Sequence, residues 1–359
     1  MPRSSNHSQA LLHIAASNLV TALGNDGATT AAAWVSRRRC FRTIEVDGAK
    51  LYTAPATDIT QSETAFTRIK ALLGAVLQDL PTALRQAPQT HRDSYTLHCM
   101  VLLPAWLAPH ECQFISDSVR AFVARHVGAA QAVSASAVAG ESPLAGHTAL
   151  QTFMLQSAPA KAQRLVLISA DSLCEPTILQ RDHAQGLVGH TKARKLDTAG
   201  EAAAYVVLDT AAHLHEIPPQ QYALHLPAYT AAAPTPRWNS LQVGDGKLFG
   251  DTIEQALQAA NLQPNNIGHY IDDNEDQNWR NEDRYAAFTR LTREADTTWH
   301  AQDLGGAERL GQIGVATGVL HWALTDTLQR RGLAHISTLL SCSQHRDGAC
   351  AAVVLQQRK

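Results

Sequence analysis

Arg164-Leu165-Val166-Leu167-Ile168-Ser169-Ala170-Asp171-Ser172-Leu173 is a nearly continuous apolar run as far as Ala170. Apolar runs of this length without polar alternation fit a parallel strand buried on both faces. Within Gly200-Glu201-Ala202-Ala203-Ala204-Tyr205-Val206-Val207-Leu208, Ala202 to Leu208 is another strand-like run. Upstream, Ala130 to Ala137 reads as a strand feeding a loop at Glu141 to Gly146, and His147 to Gln156 resumes helical spacing. Around the deciding stretch, strand and helix therefore alternate.

The pattern continues outward. Leu11 to Leu23 reads as a strand entering the Gly24-Asn25-Asp26-Gly27 loop, and a helix fits Ala28 to Arg37. Ser62 to Leu80 carries Ala65, Phe66, Ile69, Leu72, Leu73, Val76, Leu77 and Leu80 at helical spacing, with Ser62 as the expected N-cap and Pro81 as the stop. Tyr95 to Leu103 reads as a strand, and Glu111 to His126 as an amphipathic helix ending near Gly128. Pro218-Pro219, Pro227, Pro234 and Pro236 give the most linker-like composition. A second round follows, with helices over Asp251 to Ala260, Asn281 to Thr292 and Gln312 to Arg331, and strands over Ile267 to Ile271 and Ala349 to Leu355. Two rounds predict a duplicated, layered α/β fold, divided into residues 1–217 and 218–359 and packed as one globular unit.

The 359 residues are 45% hydrophobic and 17% charged, with a net charge of -2. That balance is ordinary for a soluble globular chain and gives no electrostatic case for nucleic acid or an anionic membrane. The apolar stretch Ala10 to Val20 is broken by His13, Ser17 and Asn18, and no stretch reaches the ~20 apolar residues of a spanning helix. Six scattered cysteines, Cys40, Cys99, Cys112, Cys174, Cys342 and Cys350, form no C-x-x-C pair and read as reduced thiols of a cytoplasmic protein. Seventeen histidines raise a metal question. His183 with His190, His213 with His215, and the singletons His321, His335 and His345 lack ligand spacing, so neither metal nor cofactor is expected.

Three stretches, in order, resemble the thiolase superfamily in its β-ketoacyl synthase branch. Arg164 to Leu173 resembles a strand ending in a small-residue-Asp-Ser turn. Gly200 to Leu208 resembles a Gly-Glu-Gly-Ala-Ala strand with Ala202 for the middle glycine. Leu310-Gly311-Gln312-Ile313-Gly314-Val315-Ala316-Thr317-Gly318-Val319 is similar to a Gly-His helix start. The resemblance implies a thiolase-like α-β-α-β-α arrangement, two mixed sheets with helices between and outside, and a homodimer or heterodimer.

It also implies a cysteine thiolate at a helix N-terminus, two histidines and a lysine. Glu141-Ser142-Pro143-Leu144-Ala145-Gly146-His147-Thr148-Ala149-Leu150 holds no cysteine, and the thiol's place falls at about Pro143, which has neither nucleophile nor amide hydrogen. The first histidine's place falls in Asp272-Asp273-Asn274-Glu275-Asp276, at Asp273, where carboxylates would repel a malonyl group. The second aligns with Gln312, and the lysine falls near Ala307. Weaker candidates are Ser142 with His147 as its base, and His300 after Trp299. The acidic run, with Glu282 and Asp283, lacks calcium-loop spacing and reads as solvated, as does Arg37-Arg38-Arg39. Gln344-His345-Arg346-Asp347-Gly348 stands where the family keeps a glycine-rich gating loop, here turned polar.

Three readings follow. In the first, the chain is a catalytically silent protein, similar to ketosynthase-like proteins associated with type VI secretion effectors, acting as an adaptor with an effector as partner. In the second, it resembles a chain-length factor paired with an active ketosynthase in fatty-acid, polyketide or aryl-polyene synthesis. In the third, it is an acyltransferase using Ser142, Cys112 or Cys174.

Overall fold

The structure, a computed structural model, describes residues 11–56, 64–85, 96–127, 133–140, 142–156, 163–188, 197–211, 221–225, 227–231, 245–274 and 277–358. The expected division at 217/218, the Ser62 cap, Gly128, Glu141, His190, His213, His215 and Glu275-Asp276 lie outside the described residues.

The first round comprises β1 (Leu11–Thr21), α1 (Gly27–Val35), β2 (Arg42–Val46), β3 (Ala49–Ala54), α2 (Ala65–Val76), α3 (Leu80–Arg85), β4 (Thr96–Pro104), α4 (Pro109–His126), β5 (Val133–Gly140), α5 (Ala145–Gln156), β6 (Gln163–Ser172), α6 (Pro176–Ala184) and β7 (Ala199–Ala211). The second comprises β8 (Tyr222–Leu224), β9 (Ala228–Thr230), α7 (Lys247–Ala259), β10 (His269–Ile271), α8 (Asn278–Glu294), β11 (Gln302–Asp303), α9 (Ala307–Leu310), α10 (Thr317–Arg330), β12 (Thr338–Gln344) and β13 (Cys350–Gln357).

Strand order shows the duplication. The first sheet runs β5-β4-β6-β7-β1 and the second β11-β10-β12-β13-β8, so each places its strands in the order third, second, fourth, fifth, first. In both, the fifth strand is antiparallel to the fourth and the first, while the second, third and fourth are parallel. The sheets join where β1 and β8 pair antiparallel at Leu12–Leu224 and His13–Ala223, so hydrogen bonding continues from one into the other.

Burial explains the apolar runs. Along β7, Ala202, Ala204, Val206 and Leu208 face a core shared with α5 and α10, whereas Ala203, Tyr205 and Val207 face α2, α3 and α4. Along β13, Val353 and Leu355 face the same shared core, and Ala352 and Val354 face α7 and α8. A strand covered on both faces has no side for polar residues, hence the missing alternation. The layers are outer helices, sheet, central helices, sheet and outer helices.

Two sequence expectations change. Pro81 does not stop the helix; α2 ends at Val76, and Pro81 lies in the first turn of α3, where its missing N–H costs nothing. Thr64 caps α2, accepting from the Thr67 amide. The helix expected from Gln312 begins at Thr317 after a 3₁₀ turn at Gly314–Ala316. Gln312 is tied to β7 instead, its amide donating to Thr198 O at 2.7 Å and its carbonyl accepting from Gly200 N at 2.8 Å. No Cβ fits at Gly200, because Leu310 O approaches too closely. Arg37 adopts φ 54° beyond α1, and the arginine triplet is exposed. Among the described residues, no helix is long and apolar enough to cross a membrane.

Candidate functional site

A polar cleft of about 430 Å³ opens beyond the carboxyl ends of the first sheet's parallel strands, where α/β folds commonly place ligand sites. Trp106 reaches it from the turn after β4, Pro143 from the entry to α5, and Asp171 from the end of β6. The second round supplies Arg280 from α8, Gln312 from before α10, and His345 and Arg346 from the β12–β13 turn. The cleft is thus built by both rounds. The polar β12–β13 turn closes one side, with Arg346 Nη2 2.7 Å from Asp197 Oδ2.

Of the four positions implied by resemblance, Pro143 and Gln312 share this cleft. Asp273 and Ala307 do not line it; they meet Gln312 and His321 around a neighbouring void of about 10 Å³, too small for a ligand. Gln312 Nε2 donates to the Asp273 carbonyl at 2.7 Å. The acidic segment departs from expectation: Asp272, Asp273 and Asn274 are buried rather than solvated. Asp273 Oδ2 lies 3.1 Å from Arg280 Nη1 and its Oδ1 accepts from Gln344 N at 3.0 Å. Its charge is turned toward Arg280, so it does not present the repulsive carboxylate the sequence suggested. Burial nonetheless raises the Asp273 pKa, opposed by Arg280, and pushes Asp272 up to about 6, opposed by Arg284.

The weaker candidates separate. Ser142 Oγ accepts from the Leu144 amide at 3.2 Å, an ordinary turn contact. His147 lies one turn into α5, fully buried, its ring edge-on to Trp322 of α10 with centroids 5.3 Å apart. Neither ring nitrogen makes a hydrogen bond of good geometry, and burial lowers its pKa to about 4. It therefore faces the central layer and is not placed as a base for Ser142. His300 is exposed and bonded to Thr298 Oγ1 at 2.6 Å, while Trp299 stacks on Phe288 at 4.3 Å in the outer core of the second sheet.

All six cysteines are placed, and none lines the cleft. Burial pushes Cys99 up to about 12 and carries Cys174 and Cys342 well above the ordinary thiol range; Cys112 is raised by desolvation and Glu111. Each shift favours the thiol over the nucleophilic thiolate. Among the described residues, no three His, Cys, Asp or Glu side chains converge as a metal site would require.

The sequence passed over much of the cleft's chemistry. Arg181 pairs with Asp182 at 2.8 Å, and Arg280 donates to Gln344 O at 3.0 Å across 64 positions. Asp171 was visible only as part of a turn motif. Its Oδ1 accepts from Ser172 N at 2.8 Å and its Oδ2 from Val315 N at 2.9 Å, and burial raises it to about 7. Gly314, at φ +50°, is required there because a Cβ would collide with Asp171 Oδ2.

The fold is that of the ketosynthases. A type II PKS acyl-carrier protein in complex with its ketosynthase aligns over 98% of this chain and 100% of that one, with TM-score 0.74 and 13% identity. A ketosynthase in complex with its chain length factor from Xenorhabdus doucetiae aligns over 99% and 100%, with TM-score 0.68 and 14% identity. A β-ketoacyl synthase from Burkholderia phymatum aligns over 98% and 100%, with TM-score 0.67 and 13% identity. No protein-family model and no curated protein matches the sequence. At these identities the likeness establishes thiolase-like architecture.

Proposed function

We propose that this chain is a catalytically silent protein of ketosynthase-like fold that acts by holding a protein partner. The observation that supports this reading is that Pro143 and Gln312, which the sequence resemblance aligns with the thiolate and one imidazole of a condensing enzyme, line the same cleft. Proline supplies neither nucleophile nor amide donor, and Gln312 is engaged by the Asp273 carbonyl. Asp273 and Ala307 complete a set of four replaced positions. Without an adjacent base, Ser142 has no route to activation. The protein belongs, in this reading, to the cytoplasm.

Two partner classes fit. The sequence resemblance favours a type VI secretion effector, with this chain as its adaptor. Solved complexes of like fold, in which a ketosynthase is bound to a chain length factor or an acyl-carrier protein, favour an active ketosynthase as partner. Both predict a protein complex, as a heterodimer or around a homodimer. The test incubates purified protein with acyl-carrier thioesters and records intact mass. No adduct is expected, and a stoichiometric acyl adduct would overturn the silent reading. Co-purification from the native host then decides the partner: an effector supports the adaptor, an intact ketosynthase supports the chain-length-factor reading, and recovery of neither overturns both.

A further inference from the structure

Among the described residues, charge pairing in the cleft is complete except at one. Arg181 is matched by Asp182, Arg346 by Asp197 and Arg280 by Asp273, at 2.8, 2.7 and 3.1 Å. Asp171 lines the same cleft at 2% exposure, and among the described residues no Lys, Arg or His nitrogen lies within 4 Å of its carboxylate. Its two backbone donors leave an acceptor lone pair on each oxygen. An ionised carboxylate held out of water without a counter-charge is costly, and desolvation accordingly keeps this group protonated to about pH 7, with nearby Asp182 adding to the effect.

Two buried donors at the cleft are also unpartnered. Arg280, 3% exposed, leaves Nε without an acceptor, and Trp106 Nε1 leans toward Asp171 without reaching hydrogen-bond geometry. Both nitrogens are sealed from solvent, so what the cavity offers a ligand is, among the described residues, one acid without a cation partner, in a volume suited to a small molecule.

We infer that this cleft binds a small polar molecule carrying a protonated amine, which pairs with the Asp171 carboxylate. Amino alcohols and amino-acid amides are the simplest members of that class. The ligand supplies a cation that no described residue brings to Asp171, and Asp171 loses its proton on binding. The other charged and titratable groups lining the cleft, Arg181, Asp182, Asp197, Arg280, His345 and Arg346, are paired among themselves or with Asp273 and Asp347. The inference stands on the cleft alone and holds whichever partner the protein has.

Isothermal titration of the intact protein with ethanolamine and glycinamide tests it, with acetate and glycolate as anionic controls. At pH 8 the amines should bind and the anions should not. Amine affinity should fall as pH drops below about 7, by up to about tenfold per unit, because the proton on Asp171 must then be displaced. The near-isosteric variant Asp171→Asn should lose at least tenfold in affinity and the pH dependence, with its circular dichroism unchanged. Absence of amine binding at pH 8, preference for the anions, or a pH-independent affinity in the parent protein would each overturn the inference, and the last holds even if the variant fails to fold.

Discussion

The helices α5 and α10 hold the same place in the two rounds, each following the third strand of its sheet and leading to the fourth, yet their surroundings differ. Every residue of α10 from Thr317 to Leu328 is buried, because the helix lies between the sheets, against β1 and β7 on one side and β12 on the other. In contrast, α5 has a wet side: Thr152 and Leu155 are exposed, Leu155 at 64%, while its N-terminal entry borders the polar cleft. Equivalent topology fixes where a helix sits, but the opposing layer decides what it touches. The buried helix became a wedge joining two sheets, and its counterpart kept an end open to the cleft.

The largest test of this contrast is truncation. Trp322→Ala on α10 removes a fully buried ring and should cost about 3–5 kcal/mol in chemical denaturation. Leu155→Ala on α5 should change stability by less than about 0.5 kcal/mol. Similar losses at the two sites would break the comparison.

Acid lability comes next and probes where the helices touch. His147 of α5 and His321 of α10 are both buried, with folded pKa values lowered to about 4 and about 3, and His147 adds to the lowering at His321. The unfolded chain binds these protons from about pH 6.5 downward, so stability is lost as pH falls through that window, by about 1.4 kcal/mol per unit for each ring. His147→Phe preserves an edge-on ring against Trp322 and should flatten the acid limb of a stability-pH curve. An unchanged limb would mean that the central layer admits the proton.

The cleft predicts the opposite slope. Asp171, raised to about 7, binds its proton more tightly when folded, so its contribution declines as pH rises from about 4 to 7 and stays lost above. Asp171→Asn leaves one of the Ser172 and Val315 amides without its acceptor at every pH, but it abolishes this slope, so relative to the parent the variant should gain roughly 1–3 kcal/mol between pH 4 and pH 8 in parallel denaturation series. Asp272, raised to about 6, contributes the same sign and remains in both proteins. A difference between the two proteins that does not change with pH would show that Asp171 is not held protonated by the fold.

The smallest expected effect is at the exposed Arg39–Glu308 pair, 3.5 Å apart. Arg39→Ala should shift stability by less than about 1 kcal/mol, and less still in high salt. It serves as the solvent-exposed reference for the ion pairs of the cleft.

Much of the frame was legible from residues alone. The run at Arg164–Ala170 announced a strand covered on both faces and that at Ala202–Leu208 a strand, and helical spacing placed α4, α7 and α8 to within a few residues. The β2–β3 hairpin, α6 and β12 escaped notice, since short or mixed segments carry little periodic signal. Pro81 misled because a proline that ends one helix and one that opens the next look alike without the intervening turn. At the cleft, Pro143 and Gln312 were found through resemblance, whereas Asp171 lay unnoticed inside a quoted motif. Nothing local marks a carboxylate as uncompensated; that follows from which arginines arrive beside it and which are already taken.

The sequence by itself determined the alternation of strand and helix and the two rounds, because a strand or helix must match its pattern of apolar side chains to the faces it buries. Tertiary structure alone decided that the acidic segment at Asp272 is buried and paired, and that α10 is enclosed while α5 is not. It also decided that Arg346 closes on Asp197 from 149 positions away, leaving Asp171, among the described residues, as the cleft carboxylate without a cation partner. Periodicity is a property of neighbours along the chain; charge balance and solvent access depend on distances in space, which only the folded layers set.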